Sequence, residues 1–247
     1  MRLTERIHLV ASGSSGMYLT DAYDAHAFLV DGDREAVLID AGTGRDVDTL
    51  LRNVTHAPVD PARISRLLIT HAHPDHCGGA AALRRRLPHL RVHASAQVAE
   101  WVERADAKAM SLELGLRSEF YPPGYTVEAC PVAGALADGQ VLDLGGCTVT
   151  ALATPGHAAG HLAYLVDEGT ATTLLSGDLV FWGGTVSLLA TWDCDLQTLL
   201  ASLRRLDGLA VDALLPGHHG LVLRDGQAHL DKANRLIHAG FVPPSIV

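Results

Sequence analysis

Four short apolar runs in this chain each end at a histidine or an aspartate, and this pattern limits the folds available to it. LLIT leads to His71, ALATPG to His157, TTLLSG to Asp178 and ALLPG to His218. In α/β proteins, ligands gather at the carboxyl ends of strands, where loops held by a rigid sheet converge on one edge. The pattern therefore predicts one shared site at the edge of a sheet.

Strand-like and helical segments alternate along the chain, which predicts the α/β class. A helix over 94–115 separates the first ligand motif from the second, and YPPG at 121–124 indicates an internal seam. The predicted strands are 6–11, 25–30, 35–40, 66–70, 147–154, 161–166, 171–177 and 212–217. The predicted helices are 45–57, 78–87, 94–115, 195–206 and 228–240.

Length and charge restrict the organisation of the protein and its partners. A chain of 247 residues, 48% hydrophobic, is expected to form a single domain over 1–247. The net charge of −9 without a basic stripe argues against binding to nucleic acid. No apolar run reaches the roughly 20 residues needed to span a bilayer, and no signal peptide is recognisable at the start. Four cysteines without a C-x-x-C pair suit reduced thiols, so the sequence predicts a cytoplasmic protein without membrane contact.

The segment THAHPDH concentrates residues that bind transition metals. His71 and His73, separated by one residue, can reach the same ion. Pro74 restricts the chain and could open a helix, which would turn Asp75 and His76 towards a second ion. Three histidines and an aspartate within six residues predict a metal site rather than surface decoration. The other, isolated histidines are read as ordinary surface or core residues: His8, His26, His56, His89, His93, His229 and His238.

THAHPDH, TPGH, SGD and PGH, in this order, resemble the motifs of the metallo-β-lactamase fold superfamily. The resemblance implies a four-layer αβ/βα sandwich with a dinuclear metal site at one edge. It implies two divalent ions, with Zn²⁺ expected and Fe or Mn left open. In PGHHG, His218 directly after Pro-Gly is favoured over His219. Carried over by position, His71, His73 and His157 hold one ion, Asp75, His76 and His218 hold the other, and Asp178 bridges them.

The predicted chemistry is hydrolysis of a small carbonyl substrate, an ester, thioester, lactone or lactam, by water activated at the metals. Asp75 is the predicted catalytic residue, because it could orient that water and carry a proton. SGDLVFWGG resembles the glyoxalase II-like branch, although the basic glutathione-binding tail of glyoxalase II is not recognisable here. Two alternatives stay open: a persulfide dioxygenase with a single iron, and a phosphodiesterase or nuclease of the same fold, which the acidic charge disfavours.

Four residues are predicted to contact the small-molecule substrate, each with a structural alternative. Tyr18 follows a Gly/Ser-rich stretch that is either a mobile flap or a plain hairpin loop. His161 either meets substrate or supports its loop. Trp182 and Trp192 flank an apolar stretch, FWGGTVSLLATW, that either lines the cleft or packs in the core. Segment 94–115 either shapes the substrate site or forms a homodimer contact.

Overall fold

The computed structural model describes residues 1–57 and 59–247, and its strands form two mixed sheets. The first sheet has the order β1-β2-β3-β4-β5-β6 and the second has the order β11-β10-β9-β8-β7. The first sheet comprises β1 (Ile7–Ala11), β2 (Ala27–Asp31), β3 (Ala36–Ile39), β4 (Ile64–Leu68), β5 (Arg91–Ala94) and β6 (Gly134–Ala135). The second comprises β7 (Val141–Asp143), β8 (Thr148–Ala153), β9 (Leu162–Asp167), β10 (Thr172–Gly177) and β11 (Ala213–Pro216).

Three of the helices begin where the sequence provides a capping side chain. Asp46, Ser95 and Asp195 each accept a hydrogen bond from a backbone N–H of the first turn that follows. Pro74 opens a short helix, as predicted. Within the described residues, no helix combines the length and apolarity that crossing a bilayer requires. The helices are α1 (Val47–His56), α2 (Pro74–Cys77), α3 (Ala80–Arg86), α4 (Ala96–Arg104), α5 (Leu112–Arg117), α6 (Leu196–Arg205) and α7 (Gly226–His238).

Side chains alternate between the two faces of each strand, and the buried apolar side chains form three large clusters. Along β2, Phe28 and Val30 face the second sheet, where they join a cluster with Tyr164 and Leu175. Leu29, on the other face of β2, joins residues of α1, α3 and α4. A third cluster packs α6 and α7 onto the outer face of the second sheet. This arrangement is the predicted four-layer αβ/βα sandwich.

Two predictions about the middle of the chain are wrong. The single helix over 94–115 is two helices, because Ala105 and Ser111 take left-handed backbone conformations with φ of 47° and 56°. The seam lies between β6 and β7 rather than at 121–124, because β6 still belongs to the first sheet. The sequence did not indicate strands β5, β6 and β7, because they have only two to four residues, too few for a periodic pattern.

The order of the strands brings the predicted ligands to one edge of the sandwich. The THAHPDH motif lies in the segment that follows β4 of the first sheet. Strands β10 and β11 are parallel. Strand β8 runs in the same direction as β10, because β8 and β10 are both antiparallel to β9. Their carboxyl ends therefore lead to His157, Asp178 and His218 at the same edge. Both sheets supply residues to the candidate site.

Candidate metal centre

Three histidines form the first group of candidate ligands. His71 Nε2 lies 3.0 Å from His73 Nδ1, which lies 3.1 Å from His157 Nε2. Two nitrogens bound to one tetrahedral zinc at about 2.05 Å are separated by about 3.3 Å. All three side chains are buried. The three nitrogens therefore have nearly the spacing of ligands around one ion.

Asp75, His76 and His218 form the second group. Asp75 Oδ2 lies 3.1 Å from His218 Nε2 and 3.6 Å from His76 Nε2. The structure thus brings His218 into the group, whereas the His219 side chain is exposed at the edge of the cavity. The choice made from PGHHG agrees with this placement.

Asp178 lies between the two groups. Its Oδ2 is 3.6 Å from His157 Nε2 and 3.5 Å from His218 Nε2, and its Oδ1 is 3.5 Å from His76 Nε2. Gly217 permits this approach, because a Cβ there would come within 2.3 Å of Asp178 Oδ1. The carboxylate therefore lies within reach of both groups.

Hydrogen bonds from outside the two groups fix the histidine rings. His157 Nδ1 lies 3.1 Å from the Ser187 carbonyl, and His76 Nδ1 lies 2.8 Å from Asp40 Oδ2. Because these oxygens accept, each Nδ1 carries a hydrogen, and Nε2 is the nitrogen that each ring turns towards the centre. His71 Nδ1 meets the hydroxyl of Thr70 at 3.0 Å. Such contacts orient metal-binding imidazoles in proteins.

Burial keeps the first group neutral. It lowers the pKa of His73 and of His157 from 6.5 to about 4. Burial and the neighbouring His76 also hold the pKa of His71 well below its ordinary value. A metal ion binds the neutral imidazole, so these three side chains are in the required state at neutral pH.

The second group has the opposite electrostatic character. Burial alone would lower the pKa of His76, but the carboxylates of Asp178 and Asp75 raise it well above its usual value. Burial alone would raise the pKa of Asp178, but His218 and His76 hold it well below its usual range. The carboxylates thus stay ionised and draw positive charge into the buried site.

The donor set fits divalent metal ions. Three buried lone pairs converge in the first group, and two buried carboxylates face the second without a lysine or arginine among their ion-pair partners. The buried atoms His76 Nε2 and Asp178 Oδ1 have no hydrogen-bond partner within the described part of the chain. Imidazole and carboxylate ligands in this number suit zinc or a similar transition metal. A cation at the second group would satisfy these two atoms.

A cavity of about 650 Å³ opens over this cluster. Its floor includes His73, Asp75, Asp178 and His218, and its wall comes from segments 110–121 and 187–191. Ser15, from the loop between β1 and β2, also lines it and lies 3.2 Å from His218 Nδ1. The apolar lining residues are Met110, Leu114, Phe120, Leu189, Ala190, Ile246 and Val247.

Tyr18, Trp182 and Trp192, predicted to meet substrate, lie outside the cavity lining. Tyr18 is 66% exposed and Trp182 is 65% exposed beside His229. Trp192 donates from Nε1 to the Ala109 carbonyl over 3.2 Å, so it braces the wall from outside. Exposed aromatic rings at loop tips cannot be distinguished from cleft rings by sequence pattern.

His161 is fully buried behind Asp178 and is also absent from the cavity lining. Its Nε2 accepts a hydrogen bond from the Asp178 backbone N–H over 3.2 Å. Its Nδ1 lies 2.9 Å from the hydroxyl of Thr154. Of the two roles considered for it, the structure places it where it supports the loop.

Two residues of the site were missed in the sequence. Asp40 holds His76, and it also accepts hydrogen bonds from the backbone and hydroxyl of Thr70. Its position after the apolar run AVLI, a strand end like the others, could have revealed it. Tyr121 donates to Asp75 Oδ1 over 2.6 Å. It comes from a distant, irregular segment, and no local signal indicated that contact.

Proteins of known fold resemble this one over most of its length. The subclass B3 enzyme BJP-1 of Bradyrhizobium japonicum superposes with a TM-score of 0.71 at 18% identity, covering 97% of this chain and 91% of that one. Native FEZ-1 metallo-beta-lactamase from Legionella gormanii gives a TM-score of 0.71 at 18% identity, covering 96% and 94%. At these identities the likeness establishes the fold alone.

Curated relatives share more sequence. An atrochrysone carboxyl ACP thioesterase of Aspergillus fumigatus is 29% identical over 221 residues, 89% of this chain and 58% of that protein. Thioesterase pkgB of Emericella nidulans is 31% identical over 199 residues, 80% of this chain and 46% of that protein. The chain spans about half the length of these relatives. Their names denote hydrolases, in agreement with the prediction of a hydrolase.

A family model matches the part of the chain that carries the candidate ligands. The model of the metallo-beta-lactamase superfamily matches residues 20–218, the range that contains all seven candidate ligands from His71 to His218. Together with the sandwich fold and the two ligand groups at its edge, this match shows that the chain belongs to the metallo-beta-lactamase superfamily.

Proposed function

We propose that this protein is a two-metal hydrolase that cleaves thioesters of apolar acyl groups. The observation that carries the proposal is that both ligand groups lie at the base of an apolar cavity, where His73, Asp75, Asp178 and His218 form its floor. Thioesters are favoured over lactams because the more similar relatives are named thioesterases, whereas the lactamases share only the fold. Zinc is the proposed metal.

His71, His73 and His157 would hold one ion, and Asp75, His76 and His218 would hold the other, with Asp178 between them. When bound, such ions activate a water molecule and polarise the substrate carbonyl. Asp75 reaches the cavity and its pKa lies below its usual range, because His76 and His218 outweigh the effect of burial. It would accept a hydrogen bond from the attacking water and orient it.

The reaction forms a carbon–oxygen bond and breaks the carbon–sulfur bond, giving a carboxylic acid and a thiol. A thiol has a pKa of about 8.5, so the leaving sulfur can depart as the thiolate without prior protonation. The protein must also bind the acyl group of the substrate. The neutral wall residues Met110, Leu114 and Leu189 would do so by removing apolar surface from water.

The size of the cavity indicates an acyl group larger than acetyl. Cavities of about 300–1,000 Å³ typically enclose ligands of drug size, and this one measures about 650 Å³. Both sheets contribute ligands to its floor, so we also propose that residues 1–247 work as one catalytic domain.

A substrate panel tests the proposal. The zinc-loaded protein would be assayed with N-acetylcysteamine thioesters of acetyl, octanoyl and naphthoyl groups, an aryl ester, a lactone, nitrocefin, S-lactoylglutathione and bis-p-nitrophenyl phosphate. We expect the highest kcat/KM for the larger acyl thioesters, with simple esters and lactones next. A tenfold preference for nitrocefin, S-lactoylglutathione or the phosphodiester, about 1.4 kcal/mol in transition-state stabilisation, would contradict it.

A further inference from the structure

Tyr121 connects the cavity wall to the candidate metal centre through one short hydrogen bond. Its hydroxyl donates to Asp75 Oδ1 over 2.6 Å, and both side chains are buried. The other oxygen of the same carboxylate, Oδ2, lies 3.1 Å from His218 Nε2 and 3.6 Å from His76 Nε2. The two oxygens of Asp75 are therefore distinguished: one meets a phenol and the other faces the second ligand group.

Packing around the Tyr121 ring holds the hydroxyl in place. The ring lies against Gly115, where an added Cβ would approach two of its carbons to 2.4 Å. A glycine inside a helix is destabilising, so its presence in α5 is explained by the space that the ring needs. On another side the ring packs against Tyr125, with centroids 5.5 Å apart. The Tyr125 hydroxyl is itself fixed, because it donates to the Thr43 carbonyl over 2.7 Å.

A free carboxylate does not select one oxygen by itself. The terminal torsion of aspartate is broad and roughly two-fold, so either oxygen can face a ligand. A donor that occupies Oδ1 removes that freedom and leaves Oδ2 for the ion. Contacts of this kind, one step outside the ligands, typically change metal affinity by about 10–100-fold when they are removed.

We infer that Tyr121 is a positioning residue for the second metal ion: it fixes the Asp75 carboxylate so that Oδ2 faces the ion, and it thereby sets the affinity for that ion. The inference rests on the proposed two-metal function. It also makes the segment that forms the cavity wall a structural part of the metal centre.

The test compares Tyr121→Phe with Tyr125→Phe. Each substitution removes one buried hydroxyl from the same aromatic cluster, and only the first touches a candidate ligand. Apoprotein of the wild type and of both variants would be titrated with Zn²⁺ in competition with a chromogenic chelator. We expect Tyr121→Phe to weaken the second Zn²⁺ about 10–100-fold and to leave the first unchanged. Tyr125→Phe should bind both ions as the wild type does.

Thermal unfolding of the metal-free proteins separates positioning from folding. Similar losses of Tm in both variants, with weaker zinc binding only in Tyr121→Phe, would support the inference. Equal zinc affinities in the wild type and Tyr121→Phe, or equal weakening in both variants, would overturn it while leaving the proposed function intact. A wild-type protein that binds a single ion would contradict the proposed function itself and would remove the second site on which the inference depends.

Discussion

The floor and the wall of the cavity are built in different ways. The floor carries His73, Asp75, Asp178 and His218, which follow strands or lie in the short helix opened by Pro74, and its polar atoms converge within a few ångströms. The wall consists of segments 110–121 and 187–191, which are short helical turns and loops with mainly apolar side chains. The comparison indicates that the two sheets place the candidate ligands, whereas the wall can vary without moving them except at Tyr121, which contacts Asp75.

The largest effect is expected among the candidate ligands that form the floor or lie directly beneath it. His157→Ala removes a nitrogen that lies 3.1 Å from His73 Nδ1 and opens the first ligand group. Removing a contact that supports a ligand typically lowers metal affinity or activity by about 10–100-fold. Removing a ligand itself should therefore lower kcat/KM by more than about 100-fold. Steady-state kinetics on an acyl thioester, with the metal content of the variant, checks this. Full activity in His157→Ala would contradict the expectation that the ligands matter more for activity than the wall does.

The adjacent histidines of PGHHG sharpen the boundary between the two regions. His218→Ala should reduce activity by about 100-fold, because its Nε2 faces Asp75 Oδ2 at 3.1 Å. His219→Ala should change it by less than about threefold, since its structural bonds are made by the backbone and its exposed ring reaches only the cavity edge. Parallel assays of the two variants measure the difference. A larger loss of activity in His219→Ala than in His218→Ala would show that His219, and not His218, is the ligand.

A wall substitution should act on substrate choice. Leu114→Ala removes apolar surface from the cavity, so kcat/KM for an octanoyl thioester should fall by about tenfold. Turnover of the acetyl thioester should stay within about twofold, because the floor is unchanged. Trp182→Ala is the matched control, as that side chain is 65% exposed and outside the lining. An equal loss for both acyl groups would show that the wall does not select substrate.

A change of pH distinguishes the two ligand groups. The pKa of His73 and of His157 is lowered to about 4, so protons compete with a metal there only near that pH. The pKa of His76 and of His218 is raised by neighbouring carboxylates, so protons compete from a higher pH as the solution is acidified. Dialysis at pH 5 should therefore remove one of two ions, from the second group. Loss of both ions together would contradict this asymmetry.

The sequence could predict that the candidate ligands lie together because their positions are encoded locally. Each follows an apolar run and a turn, so strand direction alone brings His157, Asp178 and His218 to one edge. The wall could not be predicted in this way. Whether a ring such as Trp192 faces the cavity or braces it from outside depends on the turn at Ala105 and on packing between distant segments. The contact between Tyr121 and Asp75 spans 46 positions and has no periodic signature.

The metal content of the purified protein tests the central claim most directly. Seven buried candidate ligands, in two groups with Asp178 between them, lead us to expect two ions. Elemental analysis of protein prepared without chelator should give about two transition-metal ions per chain, mainly zinc, and removing them should abolish thioester hydrolysis until zinc is restored. A single iron per chain without zinc would contradict the account and favour a mononuclear iron dioxygenase.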